Sequence, residues 1–320
     1  MRTATATNSL RDLWADVELP AGRPPKPAGA AALLTRRLAP YLLLAPAGVL
    51  LLAISVYPIY YSLRVSLESR TSAQAAQFVG LDNYQRLLSD PAFWNAVRVT
   101  VIFTVVAVTM ELLLGLALAL VVSPLDGRLA RAMRVVLILP MVIAPLIIGI
   151  TWRIIYQSTG PISYIASQLG FGDVDILGSG STALPALIFI DVWEWTPFMF
   201  LILLAGLQSL PMEPYEAARV DGASRVRTFL TITLPMLRPV LLVALLLRTI
   251  DAFAVFDQVF AVTGGGPGAE TQVLGLYTYD LAFKYTQIGY AAAVAFAMLL
   301  MLLLVSVALM QGLRRARRWL

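Results

Sequence analysis

The sequence predicts an all-α polytopic membrane protein with six transmembrane helices, both termini inside, and two observations carry that prediction. Of 320 residues, 59% are hydrophobic and 13% charged, with a mean hydropathy of +0.77, whereas a soluble domain is typically about 45–50% apolar. The apolar residues also gather into six runs, each long enough for a helix to cross the hydrocarbon layer. The net charge of +5 sits in loops and tails, so it reports topology rather than nucleic-acid binding. There is no cysteine and no histidine. That excludes thiol catalysis, disulfides and the usual zinc sites, and removes the commonest general base; no metal site is expected.

Residues 1–38 are polar, with Pro20, Pro24, Pro25 and Pro27 close together, and predict a disordered cytoplasmic tail. The first apolar run, Pro40 to Leu63, is longer than a signal-peptide core and reads as a retained span. Five more runs follow at Ala96–Val122, Val135–Tyr156, Ala183–Leu207, Val240–Val262 and Ile288–Leu313. The membrane domain is therefore expected over 39–314, with a basic cytoplasmic C-terminus at 315–320. Arg and Lys orient the spans: Arg2, Arg11, Arg23, Lys26, Arg36 and Arg37 precede the first, Arg128, Arg131 and Arg134 lie before the third, and Arg314, Arg315, Arg317 and Arg318 end the chain. The opposite loops carry only Arg64, Arg70, Arg86 and Lys284, with Arg98 and Arg153 near span ends. Pro140 and Pro145 interrupt hydrogen bonding in the third span and permit bends where a wall must change shape. Trp152 and Tyr156 are expected at its outer edge.

The first outer loop, Phe78 to Val97, alternates turn residues with aromatic and apolar ones and suits the membrane interface. A glycine-rich stretch, TGGGPGAET from Thr263 to Thr271, is not followed by Gly-Lys-Ser/Thr, and no phosphate-binding loop of that type occurs in the chain. It is expected to be an outward turn, and any ATP hydrolysis must come from another polypeptide.

Charged groups inside spans carry the functional information, because an Asp, Lys or Arg at a helix centre costs about 2.5–3.5 kcal/mol on insertion scales. Glu111 lies in the second span, Asp191 and Glu194 in the fourth, and Arg248, Asp251 and Asp257 in the fifth. Arg248 and Asp251 are three apart and predict a structural ion pair on one helix face. Asp191, Glu194 and Trp195 share a face, with Trp193 turned away; acids beside an indole suit a sugar, whose hydroxyls donate to the carboxylate while the ring covers a C–H face. Phe253, Phe256, Asp257 and Gln258 repeat that mixture. The same residues also fit an interfacial tryptophan anchor and ordinary helix packing.

The loop at 211–239 predicts structure of its own. Pro214 suits the first turn of a helix, and Glu213 and Glu216 place negative charge at its positive end. Gly222 would stop this helix in a left-handed conformation, Ser224 would cap a second one through Phe229, Ile232 and Leu234, and Pro235 and Pro239 would end that. The small Ala217, Ala218 and Ala223 let another surface approach, and Phe229 could fill a pocket on it.

Glu216-Ala217-Ala218, Asp221-Gly222-Ala223, Phe229 and Leu234-Pro235 resemble the coupling loop of permease subunits in binding-protein-dependent ABC importers. The outer-loop string, ELLLGLALAL from Glu111 to Leu120, and TGGGPGAET resemble the carbohydrate branch, of the maltose and trehalose type; the run Arg248–Gly266 is most similar to a trehalose permease. The resemblance covers about Pro40 to Arg314. It implies the type I importer permease fold in a bacterial cytoplasmic membrane, a second permease, two copies of an ATPase that hold ATP and Mg, and an extracytoplasmic solute-binding protein. It also implies alternating access, with the loop docking into the ATPase; this chain would bind no cofactor and would not be an enzyme. Two alternatives remain open on the residues. One is an ion-coupled secondary transporter with Glu111, Asp191 or Asp257 as the ion carrier. The other is an importer of glycerol phosphate or a polyol, with Arg248 facing the phosphate.

Overall fold

The computed structural model describes residues 30–71, 74–172 and 174–317. Most of the expected tail lies outside the described residues, as do the last three residues of the basic C-terminus. The chain divides after Ile59 into two compact units. The first contains most of α1 (Ala30–Ser66), which begins inside the segment expected to be tail, and its large side chains Leu43, Leu50 and Ile54 are exposed.

The second unit opens with a short antiparallel hairpin, β1 (Glu68–Thr71) and β2 (Gln74–Phe78), which the all-α expectation does not contain. Then come α2 (Asp82–Ser89) and α3 (Pro91–Val122). Asp90 joins them. Its carboxylate accepts the Ala92 N–H at 2.9 Å at the head of α3, where Pro91 supplies a preset φ, and it also accepts the hydroxyls of Tyr277 and Tyr290, each at 2.6 Å. Partial burial works against the charge. The hydrogen bonds from Tyr277, Tyr290 and the backbone outweigh it, and they hold the Asp90 carboxyl below the ordinary range.

The third apolar run lies across two helices, α4 (Gly127–Val142) and α5 (Pro145–Tyr156), and the stretch Pro145–Gln168 that α5 opens is bent by 89° from α4. The break lies at Ile143 and Ala144, because the residue before a proline is pushed to extended backbone and Ala144 has ψ 135°. Pro140 stays inside α4 without ending it. Tyr156 is buried, and Trp152 packs on Tyr156, Phe189 and Trp193 at 5.2, 5.6 and 5.7 Å between ring centroids.

After α6 (Pro161–Gln168) comes α7 (Gly180–Gln208), the most buried helix, with Leu187, Ile190, Met199, Phe200 and Leu203 fully enclosed. It packs closely on α3 because Gly115 has no Cβ; one built there would lie 2.6 Å from the Met199 Cβ.

α8 (Glu213–Val220) and α9 (Arg225–Thr228) form the structured loop. Pro235 and Pro239 do not end the second helix. A π-turn at Phe229–Thr233 closes with Leu234 N–H on the Phe229 carbonyl, and the chain runs on as α10 (Leu234–Phe253) with Pro235 in its first turn. The wider turn accommodates a ring that would clash with an ordinary i−4 carbonyl. The fifth span accordingly starts well before Val240. It is then interrupted at Ala254–Phe256 and resumes as α11 (Asp257–Val262).

The TGGGPGAET stretch is a turn, with Gly264, Gly265 and Gly268 at positive φ and Thr263 bonded to Thr271 at 2.8 Å. α12 (Leu274–Tyr279), a second π-turn and α13 (Ile288–Arg317) complete the chain. Among the described residues five helices are long and apolar enough to cross a membrane, and six spans result if the bent pair counts as one.

Candidate functional site: a polar cavity in the bundle and a structured loop

Arg248, on α10, is the largest fully buried side chain. Its Nε donates to Glu111 at 2.7 Å and its Nη2 to the other oxygen of Glu111 at 3.0 Å, a two-pronged grip on α3. Nη2 also donates to Asp191 on α7, and Nη1 donates to Asp251 at 2.7 Å. The expected local Arg248–Asp251 pair is thus one part of a cluster that fastens three helices. Separations of 137 and 57 residues bring Glu111 and Asp191 to it. Glu111 and Asp191 are buried, whereas the Asp251 side chain is 54% exposed. Burying these charges is tolerable because each finds an opposite charge and a hydrogen bond. The indole of Trp195 covers the guanidinium, 5.0 Å from the ring centroid.

Beside the cluster lies a cavity of about 140 Å³ walled by Asp191, Trp195, Asp251, Phe256, Asp257 and Gln258. The break in the fifth span makes this wall. Ala254 and Val255 close back on Asp251 and Ala252 in tight turns, Phe256 leaves helical geometry with φ −141°, and α11 starts at Asp257. Asp257 is exposed to the cavity and has no ion-pair partner among the described residues. Gln258 donates to Glu194, which leaves its buried Oε1 without a partner among the described residues. The wall therefore presents the carboxylates of Asp251 and Asp257 as acceptors, and its guanidinium is committed to carboxylates.

Two expected wall residues stand elsewhere. Phe253 is buried with Leu87, Phe93, Leu274 and Tyr277, on the side of α10 away from the cavity, because the break follows it at once and re-aims only the residues beyond. Glu194 is enclosed and reaches the cavity only through Gln258. Trp193 faces the opposite side of α7, as its helical position requires. The interruption at 254–256 had no sequence signal, since Ala-Val-Phe contains neither Gly nor Pro.

In the loop, α8 ends in a full C-terminal motif: Ala223 N–H bonds the Ala218 carbonyl at 2.9 Å and Gly222 N–H bonds Arg219 at 3.2 Å, with Gly222 at φ +66°. Ser224 accepts from Arg227 N–H at 3.3 Å and caps α9. Tyr215 ties the two helices by a 3.1 Å hydrogen bond to Thr233. Glu216, Ala217, Asp221 and Gly222 are exposed, Ala218 is buried, and Ala223 is half-buried. Phe229 is also half-buried, lining a cavity of about 490 Å³ between the loop and Leu120 of α3 together with Tyr215 and Thr228, so it is turned partly inward. Leu234 and Pro235 form the first turn of α10.

A helical bundle with a polar cavity at one broken span, and a structured loop feeding directly into that span, has the architecture of a membrane transport subunit, and the proteins that it resembles are permease components rather than enzymes. Residues 111–318 match the family described as "Binding-protein-dependent transport system inner membrane component", and the chain belongs to that family. It is 42% identical over 270 residues to the trehalose/maltose transport system permease protein MalF of Thermococcus litoralis, a match covering 83% of this chain and 90% of that one. It is 39% identical over 263 residues to the trehalose transport system permease protein SugA of Mycobacterium tuberculosis, covering 81% and 83%. A chain of a bacterial ABC transporter involved in the import of the acidic polysaccharide alginate has the same fold, with a TM-score of 0.77 at 22% identity, over 88% of this chain and 97% of that one.

Proposed function

We propose that this chain is a permease subunit of an ATP-driven sugar importer in a bacterial cytoplasmic membrane, and that its cargo is an uncharged disaccharide of the trehalose or maltose type. An extracytoplasmic binding protein delivers the sugar, a second permease completes the path, and two ATPase subunits holding ATP and Mg drive alternating access. The names of the relatives support the sugar. The observation that carries the reading is the wall of the cavity: the carboxylates of Asp251 and Asp257 accept hydrogen bonds, as sugar hydroxyls require, while Arg248 is held by three carboxylates. An anionic cargo such as glycerol phosphate finds no free cation there among the described residues, which weakens the glycerol phosphate alternative. Trp195 and Phe256 supply apolar faces for the C–H side of a ring. At about 140 Å³ the cavity is smaller than the ~300–1,000 Å³ usual for ligand sites. The second permease contributes the remainder.

The loop at 211–239 is the ATPase-docking element in this reading, through Glu216, Ala217, Ala218, Asp221, Gly222 and Ala223. Its support is the exposure of Glu216, Ala217, Asp221 and Gly222, and of Val220 and Val226 on either side of the glycine stop. The test is uptake into vesicles carrying the complete complex with its binding protein. ATP-dependent accumulation of trehalose or maltose is expected, with no accumulation of glycerol phosphate. Uptake that continues without ATP and collapses with a proton or sodium gradient would replace this reading with the ion-coupled one.

A further inference from the structure

From Arg225 to Phe253 the chain is helical throughout, first α9, then the π-turn, then α10. One end belongs to the exposed loop. Twenty-three residues after Arg225, at a rise of about 1.5 Å each, stands Arg248, on the order of 35 Å away. There the helix is fastened to α3 by two hydrogen bonds to Glu111 and to α7 by one to Asp191. Six residues beyond Arg248 the helix gives way at Ala254–Phe256, which forms part of the cavity wall. A continuous helical segment, a clamp and a break in the helix therefore follow one another along a single stretch of chain.

We propose that Arg248 is a positioning residue for transport: it transmits movement of the loop to α7, which lines the cavity, and to α3, which packs on α7, while the break at 254–256 lets α11 keep its place. The proposal rests on the sugar-importer reading above. An apolar contact resists separation but allows sliding and rotation, whereas two parallel bonds between a guanidinium and one carboxylate fix register and direction. Glu111 matters most. It is fully buried and does not line the cavity, so a change there acts on transmission without touching the sugar.

The experiment measures sugar imported per ATP hydrolysed by the complete complex in vesicles, at saturating loaded binding protein, so that docking of that protein does not limit the ratio. Glu111→Gln keeps the shape and leaves Asp191 and Asp251 to neutralise Arg248. We expect a threefold or greater fall in that ratio with normal recovery of complex. Arg248→Lys keeps the charge and loses the two-pronged grip, and should lower the ratio at least as far. It decides the matter should Glu111→Gln fail to assemble. A ratio equal to wild type in either assembled variant reduces the cluster to a staple and overturns the proposal. A wild-type complex that hydrolyses ATP but accumulates no sugar overturns the importer reading instead.

Discussion

The loop at 211–239 and the cluster around Arg248 lie on one continuous helical segment, yet they are built by opposite means. The loop is assembled from neighbours: the Ala218 carbonyl meets the Ala223 N–H, Ser224 caps Arg227, and Tyr215 reaches Thr233. The cluster is assembled from strangers, Glu111, Asp191 and Arg248, on three helices. A surface that has to meet another protein can be specified locally and left exposed. A group of charges within a membrane exists only once the bundle has closed around it. Substitutions in the two regions should consequently fail in different ways.

The largest effect is expected at the centre of the cluster. Arg248→Met strands Glu111 and Asp191 in an apolar interior, and removal of one partner from a buried ion pair typically costs about 3–5 kcal/mol. The amount of assembled complex recovered from membranes should fall severely, and transport with it. Normal recovery would mean that the three helices hold together without the cluster.

Asp257→Ala should be milder and of another kind. Asp257 is exposed to the cavity and has no ion-pair partner among the described residues, so its loss leaves nothing stranded. One hydrogen bond from a bound hydroxyl to a charged acceptor is worth about 1–3 kcal/mol. Uptake should decline with assembly intact, and raising the loaded binding protein should not restore the full rate. A loss of assembly would give Asp257 a structural role and move the sugar path elsewhere.

In the loop, Gly222→Val tests the local side of the comparison. The site has φ +66° and open space where a Cβ would project, so the cost is backbone strain alone, about 1–2 kcal/mol. The complex should assemble and hydrolyse ATP while importing less sugar per ATP. Wild-type coupling would show that the shape of the turn at 222 is not what the partner reads.

The same contrast explains what could be read in the sequence. Apolar runs gave the spans, Gly222 and Ser224 gave the ends of the loop helices, and Pro145 gave the bend of the third span, because each signal acts within a few residues of its effect. Pro235 misled for the same reason: it breaks a helix locally, but a π-turn next to it absorbs the ring, and nothing in Phe229–Thr233 announces that turn. The membrane charges could be named from the sequence but not paired. Glu111 and Arg248 meet across 137 positions, and the interruption at Ala254–Phe256, which re-aims Phe256 and leaves Phe253 behind, has no Gly or Pro to announce it.

The smallest effect is expected at Asp251, where local and long-range readings part most clearly. Spacing along the helix makes Asp251 the natural partner of Arg248, and on that reading Asp251→Ala strands a buried cation and destroys the complex. The structure gives Arg248 two further carboxylates, both buried, and leaves the Asp251 side chain 54% exposed. Its contribution to holding the helices resembles that of a surface ion pair, about 0–1 kcal/mol. Asp251→Ala should therefore assemble as well as wild type and lose only part of its uptake, through the acceptor it presents to the cavity. The amount of complex recovered and the thermal stability of the purified complex decide the point. A shift comparable to that of Arg248→Met would mean that Glu111 and Asp191 do not satisfy Arg248 by themselves and that the pair three residues apart dominates after all.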